Sequence, residues 1–239
     1  MNTKQYNKLI TKAKQIMAKS LDPIHDLSHV ERVVKTTKKI AHDMRLTEKE
    51  KHILTLAAWW HDTSRTKTRK PSIIIMPFLD DAFSALLLWY YACRYGIFFH
   101  PVVRIAIRVI FCKTIGTGQY LRKTMLKKQH RHLVDILQDA DTLDILHTER
   151  AKQACLLAEQ SKTYYFGYKV LVWWHLSTKA LELNTDTAKK YLAKILKDFM
   201  RWVRQDTILA WHTEQYGKIW VEKQLHKCER YIIALQTNA

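Results

Sequence analysis

The sequence predicts an all-α protein, on the evidence of its few turn-forming residues and its apolar periodicity. Only 5 glycines and 4 prolines occur among 239 residues, whereas sheets and barrels need a turn after each strand. Apolar residues recur at the spacing of a helix along most of the chain. With 47% hydrophobic residues the chain can bury a sizeable core. We therefore expect one all-helical domain over residues 1–239.

Two helix starts carry capping signals. Ser28 followed by Glu31 has the form of a capping box and predicts a helix through about Asp43. Thr47 followed by Glu50 repeats the pattern and predicts a helix that ends near Asp62. Further helices are expected over about 80–95, 101–111, 121–130 and 132–147, and then three or four more, with breaks or starts at Gly167, Asn184 and Asp206.

The charge and the cysteines restrict the classes of partner and compartment. A formal net charge of +18 favours polyanions such as nucleotides or nucleic acid, although a lysine-rich surface without a partner would give the same value. The four cysteines lie far apart and form no C-x-x-C pair, which favours a reducing, cytoplasmic setting. The most apolar run, residues 82–93, is too short to span a bilayer, so we expect no membrane partner.

Two histidines fall on apolar helix faces. His61 lies three and seven residues after Ala58 and Leu54, on their stripe. His29 lies four residues before Val33, which places its imidazole on the buried side of the first helix. A single buried histidine is more often a hydrogen-bonded core residue than a metal ligand, so these two alone do not indicate a site.

Asp141 changes that interpretation. It follows Leu137 by four residues and Val134 by seven, so it shares their apolar stripe, whereas Asp135 and Asp139 are predicted on the opposite, solvated face. A buried carboxylate must be paired, protonated or bound to a metal. One divalent ion would satisfy it together with three other residues, which gives the predicted ligand set His29, His61, Asp62 and Asp141.

These positions resemble the signature of the HD-domain superfamily of metal-dependent phosphohydrolases, in which a His, a His-Asp pair and a distant Asp follow one another. Residues 25–33 (HDLSHVERV) are similar to the HDxxHxxRV opening of the single-domain bacterial branch that includes nucleotide pyrophosphohydrolases. Residues 139–144 (DADTLD) resemble its DADRLD segment, and residues 184–189 (NTDTAK) its NTxxAK stretch. The likeness covers most of the chain, from about residue 22 to about residue 221.

The resemblance implies a single-domain orthogonal helical bundle of the HD-domain type, with its motif core over about 22–150 and C-terminal helices over 151–239 packed on it. The implied activity is hydrolysis of a phosphoanhydride or phosphoester bond in a nucleotide-like substrate by a metal-activated water. Imidazole and carboxylate ligands favour Mn, Fe, Co, Ni or Zn over Mg. Asp62 is the ligand expected to take part in catalysis, and we expect Arg32 and Arg65 to bind the substrate phosphates. Lys67 and Lys179 could do the same, but for these two a solvated surface charge is the simpler interpretation.

Three positions depart from the family pattern. Arg65 stands three residues after Asp62, where many members carry a carboxylate that handles the attacking water. The sequence Phe111-Cys112-Lys113 stands where a histidine often closes a helix, which argues against a two-metal site of the cyclic-dinucleotide phosphodiesterase type. Thr142 replaces an arginine. Arg65 could hold a phosphate, or it could begin a solvated basic loop.

Two other functions fit the same residues. The first is a metal-dependent nuclease acting on single-stranded nucleic acid, because HD domains also cut nucleic acids and the charge suits a polyanion. The second is a degenerate domain that binds a metal or a nucleotide without turnover, which the arginine at position 65 would explain. Nucleotide hydrolysis remains the leading prediction.

Overall fold

The described part of the chain consists of helices. The computed structural model describes residues 3–67, 76–113, 117–177 and 183–237, and within those ranges it contains twelve α-helices, two short 3₁₀ helices and no β-strand. The all-α class predicted from the sequence is therefore confirmed. None of the described helices is both long and apolar enough to cross a bilayer.

The chain divides into two compact units, Met1–Asp141 and Thr142–Ala239. The prediction of one domain over residues 1–239 stays a prediction. The helices that begin in the first unit are α1 (Thr3–Met17), α2 (Leu27–Asp43), α3 (Glu48–Trp60), α4 (Met76–Arg94), α5 (Pro101–Lys113), α6 (Thr117–Met125) and α7 (His132–Ile145). The 3₁₀ helices are Thr63–Lys67, which follows α3, and Lys128–His130, which precedes α7.

Helix α3 is the central helix of the first unit and packs mainly against α2 and α5. Its residues 53–60 are all buried, as expected for a helix covered on every side. The predicted capping box is present: the Thr47 hydroxyl accepts a hydrogen bond from the Glu50 N–H, and the Glu50 carboxylate accepts one from the Thr47 N–H at 3.0 Å. The capped N-terminal end of α3 is at the surface. Its C-terminal end is followed by His61 and Asp62, which are both buried.

Helix α2 begins at Leu27, and its cap is not the predicted one. Asp26, rather than Ser28, is the N-cap residue: its carboxylate accepts hydrogen bonds from the His29 N–H and from the Ser28 hydroxyl, both at 2.8 Å. Aspartate caps a helix as well as serine does, and its negative charge also suits a helix N-terminus. The Asp26 cap fixes His29 in the first turn of α2, where the whole residue is buried.

Helix α7 is buried over more of its circumference than the sequence predicted. Asp139, expected in solvent, is only 1% exposed, while the Asp141 side chain is 23% exposed. Besides the predicted Leu137 and Ala140, the buried face includes Ile136, so its centre is rotated from the predicted one. Each residue turns a helix by about 100°, and Asp141 therefore lies at the edge of the stripe, with partial access to solvent.

The second unit contains the end of α7 and five helices: α8 (Thr148–Gln160), α9 (Lys162–Ser177), α10 (Asp186–Val203), α11 (Asp206–Tyr216) and α12 (Lys218–Thr237). The predicted starts near Asn184 and at Asp206 are confirmed, and the Thr185 hydroxyl caps α10. The break predicted at Gly167 is wrong, because α9 runs through it. The structure thus tolerates the weak helix propensity of one glycine inside α9.

Candidate metal centre

Four residues predicted as ligands lie close together in the first unit. One ligand atom each of His29, His61 and Asp141 lies within 4.8 Å of the other two, a spacing that could hold a metal ion. Asp62 adjoins the same group: its Oδ2 lies 3.0 Å from Nε2 of His29 and 3.4 Å from Nε2 of His61. These side chains come from the first turn of α2, the C-terminal end of α3 and the edge of α7.

The His61 imidazole is oriented by the helix that carries it. Its Nδ1 donates a hydrogen bond to the Ala58 carbonyl oxygen at 2.8 Å, which leaves the Nε2 lone pair for the cluster when the ring is neutral. Among the described residues, the buried Nε2 has no hydrogen-bond partner. A backbone carbonyl on one nitrogen and an open second nitrogen is the usual arrangement of a histidine ligand.

The histidines and carboxylates of the cluster perturb one another. Burial by itself would raise the pKa of Asp62, but the neighbouring His61 and His29 hold it well below its ordinary value. Burial lowers the pKa of His61, and the Asp62 and Asp141 carboxylates outweigh that effect and raise it. A proton and a metal ion therefore compete for the same nitrogen of His61.

Asp141 presents its two oxygens to different neighbours. Oδ1 lies 3.5 Å from Nε2 of His29 and 3.9 Å from Nε2 of His61, while Oδ2 lies 2.8 Å from the Lys113 ammonium. Burial opposes ionisation of Asp141, yet Lys113 and His61 hold its pKa below the ordinary value. The carboxylate is thus ionised and lies between the histidine pair and the lysine.

Three charged residues that were not predicted as site residues join the cluster: Asp80, Asp81 and Lys113. The Lys113 ammonium lies 3.4 Å from Oδ1 of Asp81 in addition to its contact with Asp141, and its side chain is only 11% exposed. Burial lowers the pKa of Lys113, but Asp141 and Asp81 more than offset this and raise it. Burial raises the pKa of Asp81 to about 7, against the lowering effect of Lys113.

Arg65 is held inside the unit by ion pairs. Its guanidinium forms a salt bridge with Asp80 and lies 3.8 Å from Oδ1 of Asp62, and its side chain is 13% exposed. Nη1 also donates a hydrogen bond to Nε2 of His25 at 2.7 Å, and Nδ1 of His25 donates to Asp22 at 2.8 Å. Arg65 is therefore not the solvated start of a basic loop.

Carboxylates outnumber the permanent cations in the cluster. Four carboxylates, those of Asp62, Asp80, Asp81 and Asp141, surround two permanent cations, Arg65 and Lys113. Buried charges are costly unless they are compensated, and a divalent cation would compensate the excess. The donors present, imidazole nitrogen and carboxylate oxygen, fit a transition-metal ion.

The other predicted phosphate-binding residues are Arg32, Lys67 and Lys179. Nη1 of Arg32 donates a hydrogen bond to the Ser28 hydroxyl at 3.0 Å, so its phosphate role stays a prediction. The side chain of Lys67 and all of Lys179 lie outside the described residues.

The fold can be compared with that of a solved structure. It resembles Bacillus subtilis YpgQ, whose crystal structure was determined in complex with ADP. The TM-score is 0.51 and the sequence identity is 19%, and the match covers 84% of this chain and 93% of that chain. At this identity the likeness shows the fold alone. No family model matches the chain, and no curated protein matches its sequence.

Proposed function

We propose that this protein is a metal-dependent phosphohydrolase of the HD-domain type that acts on a nucleotide-like substrate. The observation that carries the proposal is the buried Nε2 of His61, which has no hydrogen-bond partner among the described residues and lies in a cluster with His29, Asp62 and Asp141. The resemblance of residues 25–33 and 139–144 to HD-domain sequence motifs supports the assignment to that family. The ADP bound to YpgQ, a protein of similar fold, supports a nucleotide as the substrate class.

His29, His61, Asp62 and Asp141 would hold the ion. A divalent ion at this place supplies Lewis acidity toward a phosphoryl oxygen and lowers the pKa of a water molecule. His61 offers Nε2 because the Ala58 carbonyl fixes its Nδ1 proton. Asp62 and Asp141 stay ionised because neighbouring cationic groups hold their pKa values low.

The buried carboxylates near Arg65 are candidates for a general acid or a general base. Arg65 replaces the carboxylate that many HD phosphohydrolases carry three residues after the His-Asp pair, but its ion pair brings Asp80 to the same region. Asp81, with a pKa of about 7, can hold a proton on its carboxyl group at neutral pH and release it. We infer that these two residues supply the acid–base function that residue 65 lacks.

The test is metal loading followed by a substrate panel. Protein stripped with a chelator is given Mn, Fe, Co, Ni, Zn or Mg in turn, with nucleoside mono-, di- and triphosphates, and phosphate and pyrophosphate release are measured. We expect hydrolysis with at least one transition metal. We expect His61→Ala and Asp141→Ala to lose the bound metal and at least about 100-fold in activity, because loss of a ligand opens the ion's coordination.

Matched controls come from the surface. His226→Ala and Asp198→Ala alter an exposed histidine and a partly exposed aspartate of the second unit and should leave metal content and activity unchanged. Wild-type protein that takes up no metal on reconstitution, measured by elemental analysis, contradicts the proposal. Metal and nucleotide binding without turnover would indicate the degenerate domain instead.

A further inference from the structure

The ammonium of Lys113 lies between the carboxylates of Asp81 and Asp141. Its ammonium lies 2.8 Å from Oδ2 of Asp141 and 3.4 Å from Oδ1 of Asp81. Asp81 is buried, and so is most of the Lys113 side chain. A lysine at the surface would be hydrated and would gain little from such a contact. Here, in a mostly buried place, the ammonium and the two carboxylates compensate one another's charge.

The Asp141 carboxylate divides the centre into two cation positions. Its Oδ1 faces the imidazoles of His29 and His61, and its Oδ2 faces Lys113. In two-metal hydrolytic sites the two ions lie about 3.5–4 Å apart, a separation that the two oxygens of one carboxylate can span. The first position has nitrogen and oxygen donors and suits a metal ion. The second position has the oxygens of Asp81 and Asp141, and the ammonium lies against both.

We propose that the Lys113 ammonium takes the place of a second divalent ion between Asp81 and Asp141, so that the centre holds one ion. This inference rests on the proposed metal-dependent function. A lysine ammonium is a compact point charge with three donors. Here its positive charge compensates the carboxylates of Asp81 and Asp141. The main chain at Lys113 is also held in place, because the side chain of Gln138 on α7 donates a hydrogen bond to the Lys113 carbonyl oxygen at 3.0 Å.

Removal of the ammonium should open the second position to a metal. In Lys113→Ala, Asp81 and Asp141 face each other across the space that the lysine occupied. The stoichiometry of bound Mn²⁺, measured by calorimetry and by elemental analysis after gel filtration, should rise from one ion per chain in the wild type to two in the variant. The electron paramagnetic resonance spectrum should change from that of an isolated Mn²⁺ to that of a coupled pair, because the two ions would share the Asp141 carboxylate.

Three comparisons make the result specific. Lys113→Arg keeps the positive charge and should bind one ion. Lys127→Ala removes an exposed lysine of the same unit and should also bind one ion. Lys113→Ala combined with Asp81→Asn removes both the cation and one oxygen ligand, which protects the fold from a bare buried charge, and should again bind one ion.

The outcomes separate this inference from the proposed function. A wild type that binds no metal overturns the metal-dependent function. A wild type that binds two ions, or a folded Lys113→Ala that still binds only one, overturns the role of Lys113 and leaves the metal centre intact. Should Lys113→Ala not fold, the wild-type stoichiometry decides: two ions refute the inference, and one ion together with an unchanged double variant supports it.

Discussion

At the scale of single residues, Arg65 is one of the two permanent cations that compensate the buried carboxylates near the centre. It pairs with Asp80, lies 3.8 Å from Asp62 and donates to His25. Asp80 is itself buried, and burial raises its pKa even with Arg65 beside it. Arg65→Met would leave this carboxylate without its partner.

We expect Arg65→Met to lower the free energy of unfolding by about 3–5 kcal/mol, the usual cost of breaking a buried ion pair from one side. Urea unfolding of the metal-free protein, followed by circular dichroism, measures the change. Arg201→Met is the matched control, because its pair with Asp198 is exposed and should contribute less than about 1 kcal/mol. Adding Asp80→Asn to Arg65→Met should restore part of the loss. An Arg65→Met protein as stable as the control would contradict this account.

The residues of the centre could be predicted where they lie on a helix stripe. His29, His61 and Asp141 were found by that rule, and the same rule applied to the other helices would have found two more. Asp81 lies four and seven residues before the buried Ala85 and Leu88, and Lys113 lies four residues after the buried Val109. The salt bridge of Arg65 could not be predicted, because its partner is fifteen residues away across the 68–75 segment.

At the scale of helices, the Thr47 cap supports the element that carries His61. The Thr47 hydroxyl and the Glu50 carboxylate satisfy each other's backbone N–H groups at the start of α3. Thr47→Ala removes the hydroxyl and should cost about 1 kcal/mol of unfolding free energy, measured by urea denaturation. Thr47→Ser keeps the hydroxyl and should be within a few tenths of a kcal/mol of the wild type. Equal losses in both variants would show that the methyl group, and not the cap, stabilises this turn.

Helix positions were predicted better than helix starts. The periodicity located α2, α3, α5 and α7, because buried faces repeat along the chain. The start of α2 was assigned to Ser28 because two capping residues, Asp26 and Ser28, compete within three positions, and geometry selects the carboxylate that reaches two donors. Gly167 was predicted as a break, but the helical hydrogen bonds of α9 run through it.

At the scale of the whole molecule, the formal charge of +18 must influence every encounter with a polyanion. We expect single-stranded oligonucleotides to bind, and this binding to weaken steeply between about 50 and 200 mM salt, because lysine contacts to phosphates release counterions. Fluorescence anisotropy at several salt concentrations measures the slope. Purely electrostatic binding should not lead to cleavage, and Asp62→Asn should bind the oligonucleotide as the wild type does.

Cleavage of the oligonucleotide by the wild type and not by Asp62→Asn would reverse this prediction and favour the nuclease alternative. The nucleoside phosphates of the metal-loading test provide the comparison, since their hydrolysis does not need a long basic surface. The surface charge and the buried centre therefore make separate contributions, and salt separates them: screening acts strongly on exposed lysines and weakly on the buried cluster.

The burial of α3 has a consequence for the time over which the centre keeps its shape. Residues 53–60 are enclosed on all sides, so their amide hydrogens can exchange with solvent only when the surrounding helices open together. Nδ1 of His61 is hydrogen-bonded to the carbonyl of Ala58 within this protected stretch. The imidazole consequently keeps its orientation through the small openings that fray exposed helix ends, and it loses that orientation only when the core of the unit unfolds.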